Sequence, residues 1–150
     1  MFHGDNLLAK RRAPLRSHED LIVYQKSVTL ASQVLTITRG FPRSERYELV
    51  SQLRRAASSI PSNIVEGYRR KTRKEYVQFL WTAYGSCGEL GTQLQLSRSQ
   101  QFISEPDFNN INSLRDEVSR MLWKMIDSLS PEAHHFVGPG PNISSVARGP

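Results

Sequence analysis

Five cations fall within six residues in the segment Tyr68-Arg69-Arg70-Lys71-Thr72-Arg73-Lys74, the densest group of reactive side chains in the chain. Arginine and lysine at this density are suited to phosphate oxygens. Thr72 followed by Glu75 reads as a capping box that opens a helix, and free amides at a helix start also favour anions. Arg54 and Arg55 lie upstream. The fourteen residues from Arg55 to Arg69 return close to the same helical azimuth, so a basic stripe along one helix edge is expected if Pro61 disturbs the helix only mildly. The candidate nucleic-acid contacts are therefore Arg54, Arg55, Arg69, Arg70, Lys71, Arg73 and Lys74. The alternative is a solvated face whose arginines pair with neighbouring acids. Tyr47 and Tyr68 flank the basic segment and could stack on bases or cap the end of a core.

The charge distribution sharpens the first reading. From Arg39 to Lys74 ten bases meet three acids, Glu45, Glu48 and Glu66, a net of +7; residues 75–130 hold four bases against seven acids. The overall +6, from 20 Lys+Arg and 14 Asp+Glu, is regional. Polyanions head the candidate partners.

Catalytic patterns fail on inspection. His134 and His135 sit in a Pro/Gly-rich tail, and Glu66, Glu75 and Glu89 lie on different helical stretches with no Glu-x-x-His pair. Cys87, the single cysteine, excludes an intrachain disulfide and a multi-cysteine metal site. Its place on an apolar helical stripe reads as a buried, inert thiol. Gly85, Gly88 and Gly91 fall inside a helix and lack the Lys-Ser/Thr of a phosphate-binding loop. No enzyme, no cofactor and no metal is expected.

The elements that must position the cations are helical. A chain of 150 residues holds one domain. Residues 1–16 read as a flexible basic arm, 17–129 as the folded domain, and 130–150, with four prolines and three glycines, as a disordered tail. No apolar run is long enough to span a membrane, and the N-terminus lacks a secretory core, so a cytoplasmic protein is expected.

A first helix opens at Ser17, capped with Asp20, and carries two stripes: Leu21, Tyr24, Val28, Ala31 and Leu35, and beside them Val23, Leu30, Val34 and Ile37. Gly40 and Pro42 end it. The second runs from about Ser44 to Tyr68 with a kink at Pro61. The third starts at Thr72 and buries Tyr76, Leu80, Ala83, Cys87, Leu90 and Leu94, with Val77, Trp81 and Tyr84 alongside. Gly85, Gly88 and Gly91 at successive three-residue steps imply that another backbone approaches there. The fourth starts near Ser104 and carries Phe108, Ile111, Val118, Leu122, Met125 and Leu129, with Arg115 interrupting the seam and pointing to a subunit interface. Together these describe an all-α, antiparallel up-and-down four-helix bundle. The first and third helices show faces wide enough for two interfaces, so a homo-oligomer is expected.

The string Ser51-Gln52-Leu53-Arg54-Arg55-Ala56-Ala57-Ser58-Ser59-Ile60-Pro61-Ser62-Asn63-Ile64-Val65-Glu66-Gly67-Tyr68 resembles the signature of the four helix bundle protein family, which includes proteins encoded in intervening sequences of bacterial large-subunit rRNA genes. The segments 18–26 and 85–94 extend the resemblance to roughly residues 18–128. Distant relatives include the accessory variability determinant of diversity-generating retroelements. The resemblance implies a ring-shaped homo-oligomer, a pentamer, with a basic surface. For the retroelement branch it implies binding to RNA or DNA and to a reverse transcriptase. The matching basic positions are Arg54 and Arg55. Asn63 and Glu66 are read as structural, Asn63 satisfying backbone freed by Pro61 and Glu66 pairing with Arg69 or Arg70. Gly91 and Cys87 depart from the family pattern on helix-packing faces. The alternative function is a protein-interaction scaffold of the rRNA intervening-sequence type with no direct nucleic-acid role.

Overall fold

Apolar residues recurring every three to four positions wind into four helices, α1 (Ile22–Ile37), α2 (Leu49–Tyr68), α3 (Arg73–Ser99) and α4 (Glu105–Leu129). The structure, a computed structural model, describes His18 and residues 21–130, and no strand occurs among them. The basic arm at 1–16 and the tail at 130–150, save Ser130, lie outside the described residues, as does the Ser17–Asp20 cap.

Local chemistry sets most of the helix ends. Thr72 Oγ1 accepts from the Glu75 amide at 3.2 Å and donates to the Glu75 carboxylate at 2.7 Å, which starts α3. Ser104 does the same with Asp107, and Pro106 occupies the first turn of α4. Between these helices the Phe102 amide reaches the Ser97 carbonyl and the Gln101 amide that of Arg98, with Gln101 at φ 61 where glycine is the usual occupant. α1 begins later than expected, with Leu21 as N-cap and no side-chain cap. α2 begins at Leu49, not near Ser44: Arg43–Glu45 forms a 3-10 turn, and Glu48 at φ −114, ψ −83 stands outside helical geometry.

α2 runs through Pro61 as one helix, without the break that its missing N–H invites. Ser62 donates to the Ser58 carbonyl at 2.9 Å and Asn63 to the Ser59 carbonyl at 2.8 Å. Asn63 therefore ties the turn around Pro61 but reaches Ser59, not the Ala57 carbonyl that the proline leaves without its helical donor.

The inter-helix contacts run in opposite directions along each neighbouring pair. Ser59 meets Ser86 at 2.8 Å, while Gly67, further along α2, faces Tyr76 and Phe79, earlier on α3. Arg98 and Glu105 bridge one end of α3 and α4, and Arg115 covers Gly91 further in. Arg54 bonds to the end of α1, and Lys26 of α1 pairs with Glu117 of α4 at 2.9 Å. Each helix packs on the next, and α4 closes on α1. This is the expected up-and-down bundle.

The core is aliphatic, with Leu30, Leu53, Ile60, Ile64, Leu80, Leu90, Leu94, Leu122 and Ile126 fully buried. On α1 it takes the stripe Val23, Leu30 and Val34 together with Ala31. The neighbouring stripe stays partly outside, leaving Val28 42% and Leu35 39% exposed. The glycine expectation for α3 is corrected. A Cβ on Gly85 or Gly88 would meet nothing within 4 Å, and Gly91 faces a guanidinium, that of Arg115, and not a backbone. The close approach falls instead at Gly67, where a Cβ would lie 2.7 Å from Phe79 Cβ, so α2 and α3 could not sit this near with any larger residue there.

Candidate nucleic-acid interface

The antiparallel winding divides the basic block between the two ends of the bundle. Arg69, Arg70, Lys71, Arg73 and Lys74 surround the α2–α3 turn. Arg54 stands one turn into α2, at the other end. Arg55 lies between them on the exposed side of α2, about 21 Å from Arg69 along the axis at 1.5 Å per residue. Because α2 is continuous, Arg55 and Arg69 share an azimuth to within about 40°.

At the α2–α3 turn, Arg70 ion-pairs with Glu66 four residues back and lies over the Phe79 ring at 4.8 Å. Glu66 thus takes Arg70, leaving Arg69 unpaired. Arg69, Lys71, Arg73 and Lys74 are exposed and enter no ion pair among the described residues. They gather where the amides of the first turn of α3 add positive potential. Tyr68 packs edge-on against Tyr76 and His18, at 6.3 and 6.1 Å between ring centroids, and caps this end of the core.

Arg54 is committed to the fold. Its Nε donates to Thr38 Oγ1 at 2.9 Å and its Nη2 to the Leu35 carbonyl at 3.4 Å, tying the start of α2 to the end of α1. Arg55 donates to the Gln52 side chain one turn back. The two adjacent arginines therefore do different things, and the uniform stripe expected from their spacing reduces to Arg55 and the cations of the turn.

The loop between α1 and α2 makes a second basic site. Phe41 is buried against Phe102, their ring centroids 5.8 Å apart, and anchors the loop. Thr38, 3% exposed, donates to the Val34 carbonyl at 2.8 Å. Above them opens a cleft of about 810 Å³ lined by Arg39, Arg43, Arg46 and Arg54 and by Tyr47. Tyr47 is 89% exposed, so unlike Tyr68 it caps nothing. The sequence carried a signal for this cleft, three arginines and a tyrosine in the eleven residues between α1 and α2, but charge counting alone merges it with the turn at the far end.

Arg115, 16% exposed at its side chain, donates to Asn112 at 2.9 Å, to the Cys87 carbonyl at 3.3 Å and to Asp116. Its place in the seam suggested a subunit interface; within the protomer these three partners already engage it. Among the described residues no three of His, Cys, Asp and Glu come together as metal ligands would, and no helix is long and apolar enough to cross a membrane. Burial pushes the Cys87 thiol up to about 12; the Arg115 guanidinium opposes the rise and Asp116 adds to it. A thiol ordinarily ionises near about 8.5, so the stabilisation from keeping Cys87 neutral is complete below that pH and is lost as pH rises towards the folded value. Unfolding titrations of the parent and of Cys87→Ala should diverge accordingly. The parent is expected to lose about 2.7 kcal/mol more than the variant between pH 7 and pH 10.5, and parallel curves would contradict a buried neutral thiol.

Comparison with known proteins agrees with this architecture. No curated protein matches the sequence. A crystal structure from Bacteroides thetaiotaomicron VPI-5482, of a protein with unknown function from the S23 ribosomal protein family, superposes with a TM-score of 0.65 at 24% identity, covering 70% of this chain and 98% of that one, and so shares the fold. Residues 19–124 match the family described as 23S rRNA-intervening sequence protein, a span that includes all of α1 to α3 and most of α4. With that match over more than two thirds of its length, the chain belongs to the 23S rRNA-intervening sequence protein family.

Proposed function

We propose that the protein is a non-enzymatic, homo-oligomeric accessory protein that binds nucleic acid through phosphate contacts at the α2–α3 turn. The carrying observation is that Arg69, Lys71, Arg73 and Lys74 stand exposed without acidic partners at the N-terminus of α3, while one cation of the turn, Arg70, is neutralised by Glu66. Burying nothing and bracing nothing, these side chains fit an external polyanion. Arg55, on the same flank of α2, extends the surface. RNA is the first polyanion to try, given the family's name.

Self-association has its own support. Val28 and Leu35 present an apolar strip on the outside of α1, beside a groove formed with Tyr24, Pro61 and Val65. A second copy of the chain is the occupant that the wide α1 face was expected to meet, and a pentameric ring follows the family resemblance. The same strip supports the second reading, a scaffold that holds a protein such as a reverse transcriptase and leaves nucleic acid to its partner. Light scattering during size exclusion reads the assembly directly.

Binding of this kind is electrostatic and sequence-tolerant. With six to eight phosphate contacts per complex, log affinity for duplex is expected to fall with log salt at a slope of about −5 to −7. Fluorescence anisotropy at several salt concentrations measures it. A slope near zero, or no binding at low salt, overturns the phosphate reading in favour of the scaffold.

A further inference from the structure

The cleft between α1 and α2 sits at the opposite end of the bundle from the α2–α3 turn and its four exposed, unpaired cations. Its volume, about 810 Å³, falls in the range of sites for small ligands. Arg39, Arg43 and Arg46 line it without an ion pair or side-chain hydrogen bond, although Glu45 and Glu48 share their loop. Arg54 is held in place by Thr38 and the Leu35 carbonyl. Those bonds use two of the five donors of a guanidinium, and the remainder stay available. The start of α2 borders the cleft through Val50 and Ser51 and has no side-chain cap, which adds the positive end of a helix to the arginines. Tyr47 then stands in the cleft wall 89% exposed, an aromatic face with nothing on it.

We propose that this cleft receives one unpaired nucleotide of a single-stranded nucleic acid, its base stacked on Tyr47 and its flanking phosphates held by Arg39, Arg43 and Arg46. The combination selects for that ligand. An arginine cluster alone would take any anion, whereas an exposed tyrosine ring in the same wall adds a partner for a flat, unstacked base. A duplex keeps its bases stacked on each other and can offer the cleft phosphates only. Stacking on one ring is tolerant of sequence, so the site reads strandedness, not base identity.

The proposal rests on nucleic acid being the protein's ligand, and the experiment separates the two. The full chain is titrated by anisotropy with a labelled single-stranded RNA of about ten nucleotides and with a duplex of equal length at the same salt. Tyr47→Ala is expected to weaken single-strand binding about tenfold and duplex binding less than twofold, with Tyr47→Phe behaving as the parent. AMP should displace the single strand at concentrations where inorganic phosphate does not. Both probes bound with Tyr47→Ala leaving their ratio unchanged, or phosphate competing as well as AMP, overturns the cleft and leaves the turn surface standing. Binding of neither probe overturns both. Because the Tyr47 ring is solvent-exposed, an unchanged melting curve for Tyr47→Ala separates a lost contact from a lost fold.

Discussion

Reversing Arg69, Lys71, Arg73 and Lys74 to glutamate is expected to lower affinity for duplex nucleic acid about a thousandfold at 0.15 M salt and to flatten the salt slope by about 3 to 4. Each cation that neutralises a phosphate contributes about 0.9 to the slope, and four exposed, unpaired cations account for the difference. Glutamate also adds repulsion that alanine would not. The fold should tolerate the exchange, since none of the four braces another side chain. Negative charge at Arg73 and Lys74, in the first turn of α3, even suits the helix dipole. A melting temperature equal to or slightly above the parent's, together with the loss of binding, is the expected pair of results. Affinity unchanged within threefold at low salt would remove the turn from the binding surface. Arg70 is the internal control. Tied to Glu66 and the Phe79 ring, it should contribute less to binding when changed alone and more to stability.

The second large effect contrasts two positions five residues apart on α3. Leu90 is fully buried, and Leu90→Ala removes its packing and leaves a cavity between helices, at a cost of about 3 kcal/mol. Against a total stability of roughly 5–15 kcal/mol this is a large share. Gly85→Ala is expected to do the reverse. Its added methyl meets no atom within 4 Å, and alanine is the better helix former by about 1 kcal/mol. Chemical denaturation of the two variants therefore gives opposite signs. If a second copy of the chain packs against that side of α3, the gain becomes a loss and appears as a shift towards smaller assemblies by light scattering.

How far the residues announced this structure depends on whether the deciding interaction was local. The Thr72–Glu75 and Ser104–Asp107 caps, the aliphatic period of α3 and the four-helix order were readable because each is set within a turn or two of the same helix. That the helix would continue past Pro61 to Tyr68 was also readable, while the Ser62 and Asn63 side-chain bonds around the proline depend on the helix already being formed. The first stripe of α1 looked as apolar as the second, and only packing decided that Val23, Leu30 and Val34 turn inward. Within the protomer, Gly85 and Gly88 meet no neighbour where their spacing suggested a close backbone. What faces a helix position is set by other helices, and that information is not in the periodicity.

The candidate site was legible as charge and not as geometry. Ten bases between Arg39 and Lys74 were countable. That a helix of 20 residues would carry them to opposite ends depended on α2 surviving its proline. Arg54 and Arg55 looked equivalent until Thr38 claimed one of them, a bond across sixteen residues. Tyr47 and Tyr68 looked equivalent too, yet one is packed among aromatic neighbours and the other stands in solvent.

The Ser59–Ser86 contact has a mechanical meaning for the α2–α3 pair. The surrounding seam is aliphatic, and aliphatic surfaces tolerate small slides of one helix along another at little cost. Two hydroxyls meeting at 2.8 Å, with Ser86 also donating to the Thr82 carbonyl and Asn63 donating to Ser59, do not. A slide of one residue would strand polar groups that water reaches poorly. The small chain of hydroxyl and amide groups therefore works as an index notch: it adds little to the depth of the energy well but narrows it. The seven-residue lever from Asn63 to Arg70 then holds the cations of the turn at a fixed height above the start of α3.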